Sequence, residues 1–216
     1  HRLRPEVSMR IHDITPTVSP RLAVFPGDTP FSRQVAMDFR CGDHLALSAI
    51  TTTLHIGAHC DAPSHYAAEG QSIDRRDLTP YLGPAQVLTV HVPVGTRIEP
   101  VHLSSPVLAP RLLLRTDSFA DPETWRGDFV ALSAALVDHL AAQGVILVGV
   151  DTPSVDLAED KALEAHQAIH RHGLAILEGI VLADVPDGLY TLVALPLKIE
   201  GAEAAPCRAV LVEGRL

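Results

Sequence analysis

The chain has 216 residues, 47% hydrophobic and 20% charged, which is ordinary for a globular protein and excludes wholesale disorder, a collagen helix and a coiled coil. Seventeen basic against 26 acidic residues leave a net charge of −9 without any basic stripe, so nucleic acid is not an expected partner. No apolar run is long enough to span a bilayer and no charged-then-apolar leader opens the sequence, so membrane attachment is not expected either.

His1 is not a natural start, whereas Met9 is. Residues 1–8 read as a remnant of processing or expression, and 1–10 as a disordered N-terminus ahead of one domain over 11–216. Ile11–Ile14 reads as a short strand ended by Pro16, and Arg21–Phe25 as a second one closed by the Pro26-Gly27-Asp28 turn. Phe31–Phe39 leans toward strand. Residues 44–54 alternate and then run into β-branched Thr51–Thr53, which predicts another strand. Gln86–Val92 and Leu112–Arg115 are expected as buried strands. Ser133 caps a helix through Ala142, with Gly144 just beyond it. Val145–Val150 is a buried strand with Asp151-Thr152-Pro153 at its carboxyl end. Glu159 or Asp160 opens a helix that runs to His172 and stops at Gly173. Leu174–Leu177 returns as a strand to Glu178-Gly179, and Leu189–Leu195 and Cys207–Val212 complete the set. Strands outnumber helices, and both helices sit between late strands. The expected class is α/β, with α+β as the alternative, built on a mixed sheet with flanking helices.

Twelve histidines are the unusual feature, because their distribution is uneven. His55, His59, Asp61 and His65 stand within eleven residues, in the pattern H-x3-H-x-D-x3-H, directly after a predicted strand. Gly57 and Pro63 disfavour a helix there. If residues 59–61 are extended, His59 and Asp61 point to one side, and Gly57 lets the backbone turn so that His55 converges on them. Two imidazoles and a carboxylate suit a zinc-class ion, and His65 would stand just outside the metal shell. Cys60 would point the opposite way and read as a small buried hydrophobe. The odd cysteine count (Cys41, Cys60, Cys207) fits no disulfide framework and indicates a reducing compartment such as the cytoplasm. On the second helix, His166 shares an inward face with Ala162, Leu163 and Ile169. His170 lies one turn on, at the edge of that face, and His172 reads as a surface residue. Glu178 ends a buried strand, where a carboxylate needs a partner or a metal. It is therefore the best late-chain partner of the early loop, while spacing leaves His166 and His170 both open. Ser64 beside His65 lacks the G-x-S-x-G elbow of a serine hydrolase.

The His55–His65 segment resembles the H-x-G-T-H-x-D-x-P-x-H signature of the cyclase-type metal hydrolases. Four further segments extend the resemblance toward the bacterial kynurenine formamidase (arylformamidase) branch. They are Phe25-Pro26-Gly27-Asp28-Thr29-Pro30, Asp151-Thr152-Pro153-Ser154-Val155-Asp156, Glu178-Gly179-Ile180-Val181-Leu182 and Ala194-Leu195-Pro196-Leu197-Lys198. Together they cover about residues 11–213.

The resemblance implies a cyclase-like fold with a barrel-like core. It also implies two zinc ions per subunit, with manganese as the alternative. His55 and His59 would bind one ion, and His166 the other. Asp61 and Glu178 would bridge them, His65 would be the general acid/base, and Phe25 would contact substrate. The implied reaction is hydrolysis of N-formyl-L-kynurenine to formate and L-kynurenine, a step of tryptophan degradation, by a homodimer. Two positions depart from the pattern. Ala58 replaces a Thr that is not a ligand, and Phe25 replaces a Trp, keeping a stacking face but losing the indole donor. The alternatives are an isatin-hydrolase-like amide hydrolase, a metal-binding module without turnover, and a structural domain with scattered core histidines.

Overall fold

The computed structural model describes residues 9–214. Residues 1–8, the expected remnant, lie outside the described residues, and Met9 and Arg10 lead exposed into the first strand. In chain order the elements are β1 (Ile11–Asp13), β2 (Ser32–Met37), β3 (Leu47–Thr51), β4 (His59–Asp61), β5 (Leu82–Thr89), β6 (Arg97–Ile98), β7 (Arg111–Arg115), β8 (Ala131–Leu132), helix α1 (Ala134–Ala142), β9 (Leu147–Val150), helix α2 (Glu164–His172), β10 (Ala175–Glu178), β11 (Gly188–Val193), β12 (Ala204–Pro206) and β13 (Val210–Val212).

Nine of the strands form one sheet in the order β1-β13-β11-β5-β7-β9-β10-β4-β12. Its centre, β5-β7-β9-β10, is parallel, and the flanking strands on both sides are antiparallel. The central strands read as apolar runs because both faces are covered. Leu112 and Leu114 of β7 pack on the helix side, whereas Leu113 between them joins the opposite cluster with Cys60, Val87, Leu177 and Leu211. Gly149 in β9 has no side chain because a Cβ there would come within 2.3 Å of Leu113.

Chain connectivity forces this sheet to curl. β12 is one edge and β13 is next to the other edge, seven strand spacings away, which would be roughly 34 Å in a flat sheet. Only residues 207–209 join them, and the four steps from Pro206 to Val210 span at most about 14 Å. The two ends must therefore approach each other, as in the barrel-like core that the family resemblance implies.

Helices α1 and α2 lie on the convex side, with Leu136, Val137 and Leu140 of one and Ala165, Ala168 and Ile169 of the other in a common cluster with Leu112, Val148 and Ile176. Ser133 caps α1 as expected, its Oγ accepting from the Leu136 N–H at 3.0 Å. Helix α2 ends at Gly173 as expected but starts at Glu164 rather than at 159 or 160. Asp156 reaches across ten residues to accept from the N–H groups of Ala165 and His166, and Asp160 accepts from Ala162 and Glu164. These carboxylates satisfy the donors of the first turn and fix the start there. Ala162 is consequently exposed and outside the helix, so it is not part of the inward face of His166.

The expected strand Arg21–Phe25 does not form. Pro20 and Pro26 flank it, and the segment is tied instead to the Pro122 carbonyl by the Ala23 N–H at 2.9 Å. The predicted strands 31–39 and 44–54 shorten to β2 and β3, which pair only with each other. Two-residue β6 and β8 and the Ala-Ala-Pro strand β12 have no readable alternation in sequence.

Candidate metal centre and active site

β4 lies between β10 and β12 and is buried throughout, so its residues are extended, as inferred. Its register sets His59 opposite Glu178 and Asp61 opposite Ile176. Directly opposed residues share a face, so His59, Asp61 and Glu178 all look toward α2, while Cys60 and Leu177 look into the opposite cluster. Two glycines make the closeness possible. Gly179 and Gly57 both have positive φ (66° and 54°), and a Cβ on Gly179 would lie 2.1 Å from the Gly57 carbonyl oxygen. Any larger residue would push the Glu178 strand end away from the histidine loop.

The ring atoms converge on two carboxylates. His59 Nε2 lies 3.1 Å from Glu178 Oε2 and 3.4 Å from Asp61 Oδ1. His55 Nδ1 is 3.1 Å from Asp61 Oδ1, His166 Nε2 is 3.4 Å from Asp61 Oδ2, and His65 Nε2 is 4.0 Å from that same oxygen. His166 Nε2 is also 3.8 Å from Glu178 Oε1. The donors form two overlapping groups, His55-Asp61-His65 and His59-Asp61-Glu178, with Asp61 in both. His170 is exposed on α2 with its ring centroid 6.0 Å from that of Tyr66, so the structure brings His166 and not His170 to the cluster. His172 is on the surface, paired with Asp138 at 2.8 Å.

Neighbouring groups fix the tautomers. The Gly57 carbonyl can only accept, so His59 Nδ1 carries the proton it donates there at 2.8 Å. His166 Nδ1 donates to Asp156 Oδ2 at 2.7 Å. Both rings therefore turn Nε2 inward, the arrangement by which outer carboxylates and carbonyls orient metal-binding histidines. Burial by itself would lower the pKa of His59, but the adjacent Glu178 carboxylate and the charge of Asp61 lift it to about 9. Burial is likewise outweighed at His166, which Asp156 and Asp61 raise to about 10. Burial works against the charge on Asp61 too, yet the His166 and His55 rings beside it hold it well below the usual carboxylate range. At His65 the balance goes the other way: burial lowers its pKa, and the charges of Asp61 and Glu178 offset this only in part.

These residues fit a divalent ion. His59 Nε2 and Asp61 Oδ1 are buried and have no hydrogen-bond partner among the described residues. The buried carboxylates draw positive charge onto the imidazoles, and a cation satisfies the same demand with nitrogen and oxygen donors of the correct class.

A cavity opens from His55 and His59 at the carboxyl ends of β7, β9 and β10. Phe25, Phe119 and Trp125 wall one side of it, and Ile180 and Leu182 are part of the other. Phe25, the predicted substrate contact, packs on Trp125 with ring centroids 4.6 Å apart. Sequence reading missed Trp125. Its signal was the density of Phe119, Trp125 and Phe129 within eleven residues of a chain that is only 4% aromatic. It also missed Asp156 as the partner of His166. Asp156 is held by Arg97 Nη1 at 2.6 Å, and Arg97 in turn pairs with Asp160 and Glu164.

Known proteins agree with this architecture. The Cyclase family model matches residues 12–157. The kynurenine formamidase of Polaromonas naphthalenivorans (strain CJ2) is 44% identical over 208 residues, covering 95% of this chain and 92% of its own. A solved structure described as a potential metal-dependent hydrolase with cyclase activity superposes with a TM-score of 0.83 at 24% identity, covering 97% of this chain and all of its own. Isatin hydrolase A from Labrenzia aggregata gives 0.77 at 23% identity, covering 94% and 93%. These two likenesses concern the fold alone. With a family model over most of its length and a relative this similar across nearly all of it, the chain belongs to the Cyclase family.

Proposed function

We propose that the protein is a metal-dependent amide hydrolase that converts N-formyl-L-kynurenine to formate and L-kynurenine. The observation that carries this reading is the place of Asp61 in two donor groups whose His55 and His59 line an aromatic-walled cavity, in a chain 44% identical to a kynurenine formamidase. His55, His59, Asp61, Glu178 and His166 would hold the metal, and two zinc ions, with manganese the alternative, suit the sharing of Asp61. A divalent ion held there would supply an acidified water, with its pKa lowered toward about 7, and positive charge for the developing formyl oxyanion.

The chain's own residues supply the rest. His65 is neutral at pH 7 because burial depresses its pKa, so it is ready to accept a proton. Returning that proton to the aryl nitrogen lets kynurenine leave as an amine. Phe25 and Trp125 present ring faces to the aryl group, and Trp125 restores the indole that Phe25 lacks. Asp156 and the Gly57 carbonyl keep His166 and His59 turned inward throughout. A cavity reaching the donors is what a catalytic site requires and a closed structural site lacks.

Residues 11–216 act as one catalytic unit in this reading. The β2–β3 hairpin is assigned to a homodimer contact, since Val35, Leu47 and Ile50 are at least half exposed on strands that join no other sheet. A cytoplasmic setting accords with cysteines that are all unpaired. The test is turnover of formylkynurenine beside isatin, with metal content measured on the same preparation. Formate release that needs the metal is expected, with Asp61→Ala losing both metal and rate. Turnover of isatin alone, or an Asp61→Ala enzyme with full metal and rate, would overturn the assignment.

A further inference from the structure

The cavity has a charged rim that the hydrolytic machinery does not use. Asp117 and Asp151 are the carboxylates outside the metal centre that line it, and no Lys or Arg does. Asp151 is engaged within the fold. Its Oδ1 accepts from Thr116 Oγ1 at 2.6 Å, and its Oδ2 from the N–H groups of Thr116 and Asp117 at 2.8 and 2.9 Å. Asp117 is different. Its carboxylate accepts no hydrogen bond among the described residues and has one loose ion pair, with Arg115 Nε at 3.5 Å. The side chain is 45% exposed. Its backbone is left-handed, with φ 54°, a conformation that a non-glycine residue disfavours, and the bond to Asp151 holds it there. Arg115 is turned into the fold: its Nη1 donates to Val185 O at 3.1 Å and Ala183 O at 3.5 Å, and its Nε is buried. An unsaturated acid thus stands where β7 ends at the mouth of the cavity.

Building on the formylkynurenine reading, we propose that Asp117 is a specificity residue that recognises the α-ammonium at the amino acid end of the substrate. The scissile formamide is on the aryl ring, and the α-ammonium and α-carboxylate are at the far end of the ketone side chain. With the formamide at His55 and His59 and the ring against Phe25 and Trp125, that zwitterion projects to the rim. Asp117 takes the ammonium. Such a rim selects an amino acid over an uncharged cyclic amide sharing the same aryl group.

The test compares formylkynurenine with N-(2-acetylphenyl)formamide, which keeps the aryl formamide and ketone but has no amino acid. Asp117→Asn and Asp117→Gly are assayed on both. Each variant is expected to raise KM for formylkynurenine about tenfold or more, equivalent to about 1.4 kcal/mol. Each should change kcat less than about twofold and leave the truncated substrate unaffected. Asp117→Gly relieves the left-handed backbone, so its melting temperature should be no lower than that of the wild type, which separates lost recognition from lost fold. Equal effects on the two substrates, or no effect on either, overturn the rim assignment. Equal kcat/KM of the wild type for both substrates overturns it while leaving the hydrolase reading intact. Hydrolysis of neither by the metal-loaded wild type overturns both.

Discussion

Replacing Asp156 by Asn isolates what an outer carboxylate contributes to this centre. Asp156 accepts from Arg97 Nη1 at 2.6 Å, His166 Nδ1 at 2.7 Å, and the N–H groups of Ala165 and His166 at 3.0 Å. Asn preserves the shape but exchanges one acceptor oxygen for an NH2 that faces one of these donors. If that donor is His166 Nδ1, the ring is free to take the other tautomer, with its proton on the inward Nε2. Loss of an outer-shell partner of this kind costs about 10–100-fold in metal affinity or activity. The helix start loses part of its cap, at about 1 kcal/mol. Arg97 keeps Asp160 at 2.6 Å and Glu164 at 3.3 Å, so no buried charge is orphaned and the total stability loss stays near 1–3 kcal/mol. For a chain of this length that lowers the melting temperature by about 2–12 °C. Thermal unfolding of the metal-free protein, a competitive zinc titration and kcat on one preparation separate the effects. Zinc affinity and kcat both within twofold of wild type would refute the orienting role of Asp156.

His65→Ala should retain full metal content and lose about 10²–10⁴-fold in kcat, the usual contribution of a general acid/base. Loss of metal by that variant would show instead that His65, 4.0 Å from Asp61, serves as a ligand. Removing metal with a chelator should lower the melting temperature, and restoring zinc to about a thousandfold over its dissociation constant should return about 4 kcal/mol. An unchanged transition after verified removal would refute a metal held only by the folded state. On the surface, the hydrogen-bonded Arg208 guanidinium holds the Asp13 carboxyl below its ordinary value of 3.8. A depressed folded-state pKa stabilises above the unfolded value and is lost as pH falls through the folded one. The melting difference between wild type and Arg208→Ala should therefore be full near neutrality and close below pH 3.8, and a difference independent of pH would contradict the pairing.

The legible parts of the sequence were those governed by neighbours along the chain. Val145–Val150 and Leu112–Leu114 announced buried strands because they are unbroken runs without a polar side chain. Ser133 announced a helix start because its acceptor lies three residues from the donor it caps. Arg21–Phe25 failed because an apolar run specifies burial but not a strand partner, and here the neighbour is Pro122. The start of α2 failed because its acceptor, Asp156, comes from a loop outside any local capping pattern. His59 and Asp61 could be placed on one face of a short strand, but choosing His166 over His170 by spacing alone was impossible. Both lie near the inward face of the helix, and only its docking angle decides which ring reaches Asp61.

The sequence by itself determined the chemistry on offer: three imidazoles and a carboxylate within eleven residues, a glycine that allows the turn, and a late acid at a buried strand end. Tertiary structure alone decided the gathering. His166 meets Asp61 across 105 residues, Glu178 is set against His59 by strand register, and Asp117 and Trp125 arrive at the cavity on a loop after β7. The reason is that side-chain chemistry is local, whereas approach is set by sheet pairing and by backbone clearances such as that between Gly179 and Gly57. Those depend on where the whole chain runs.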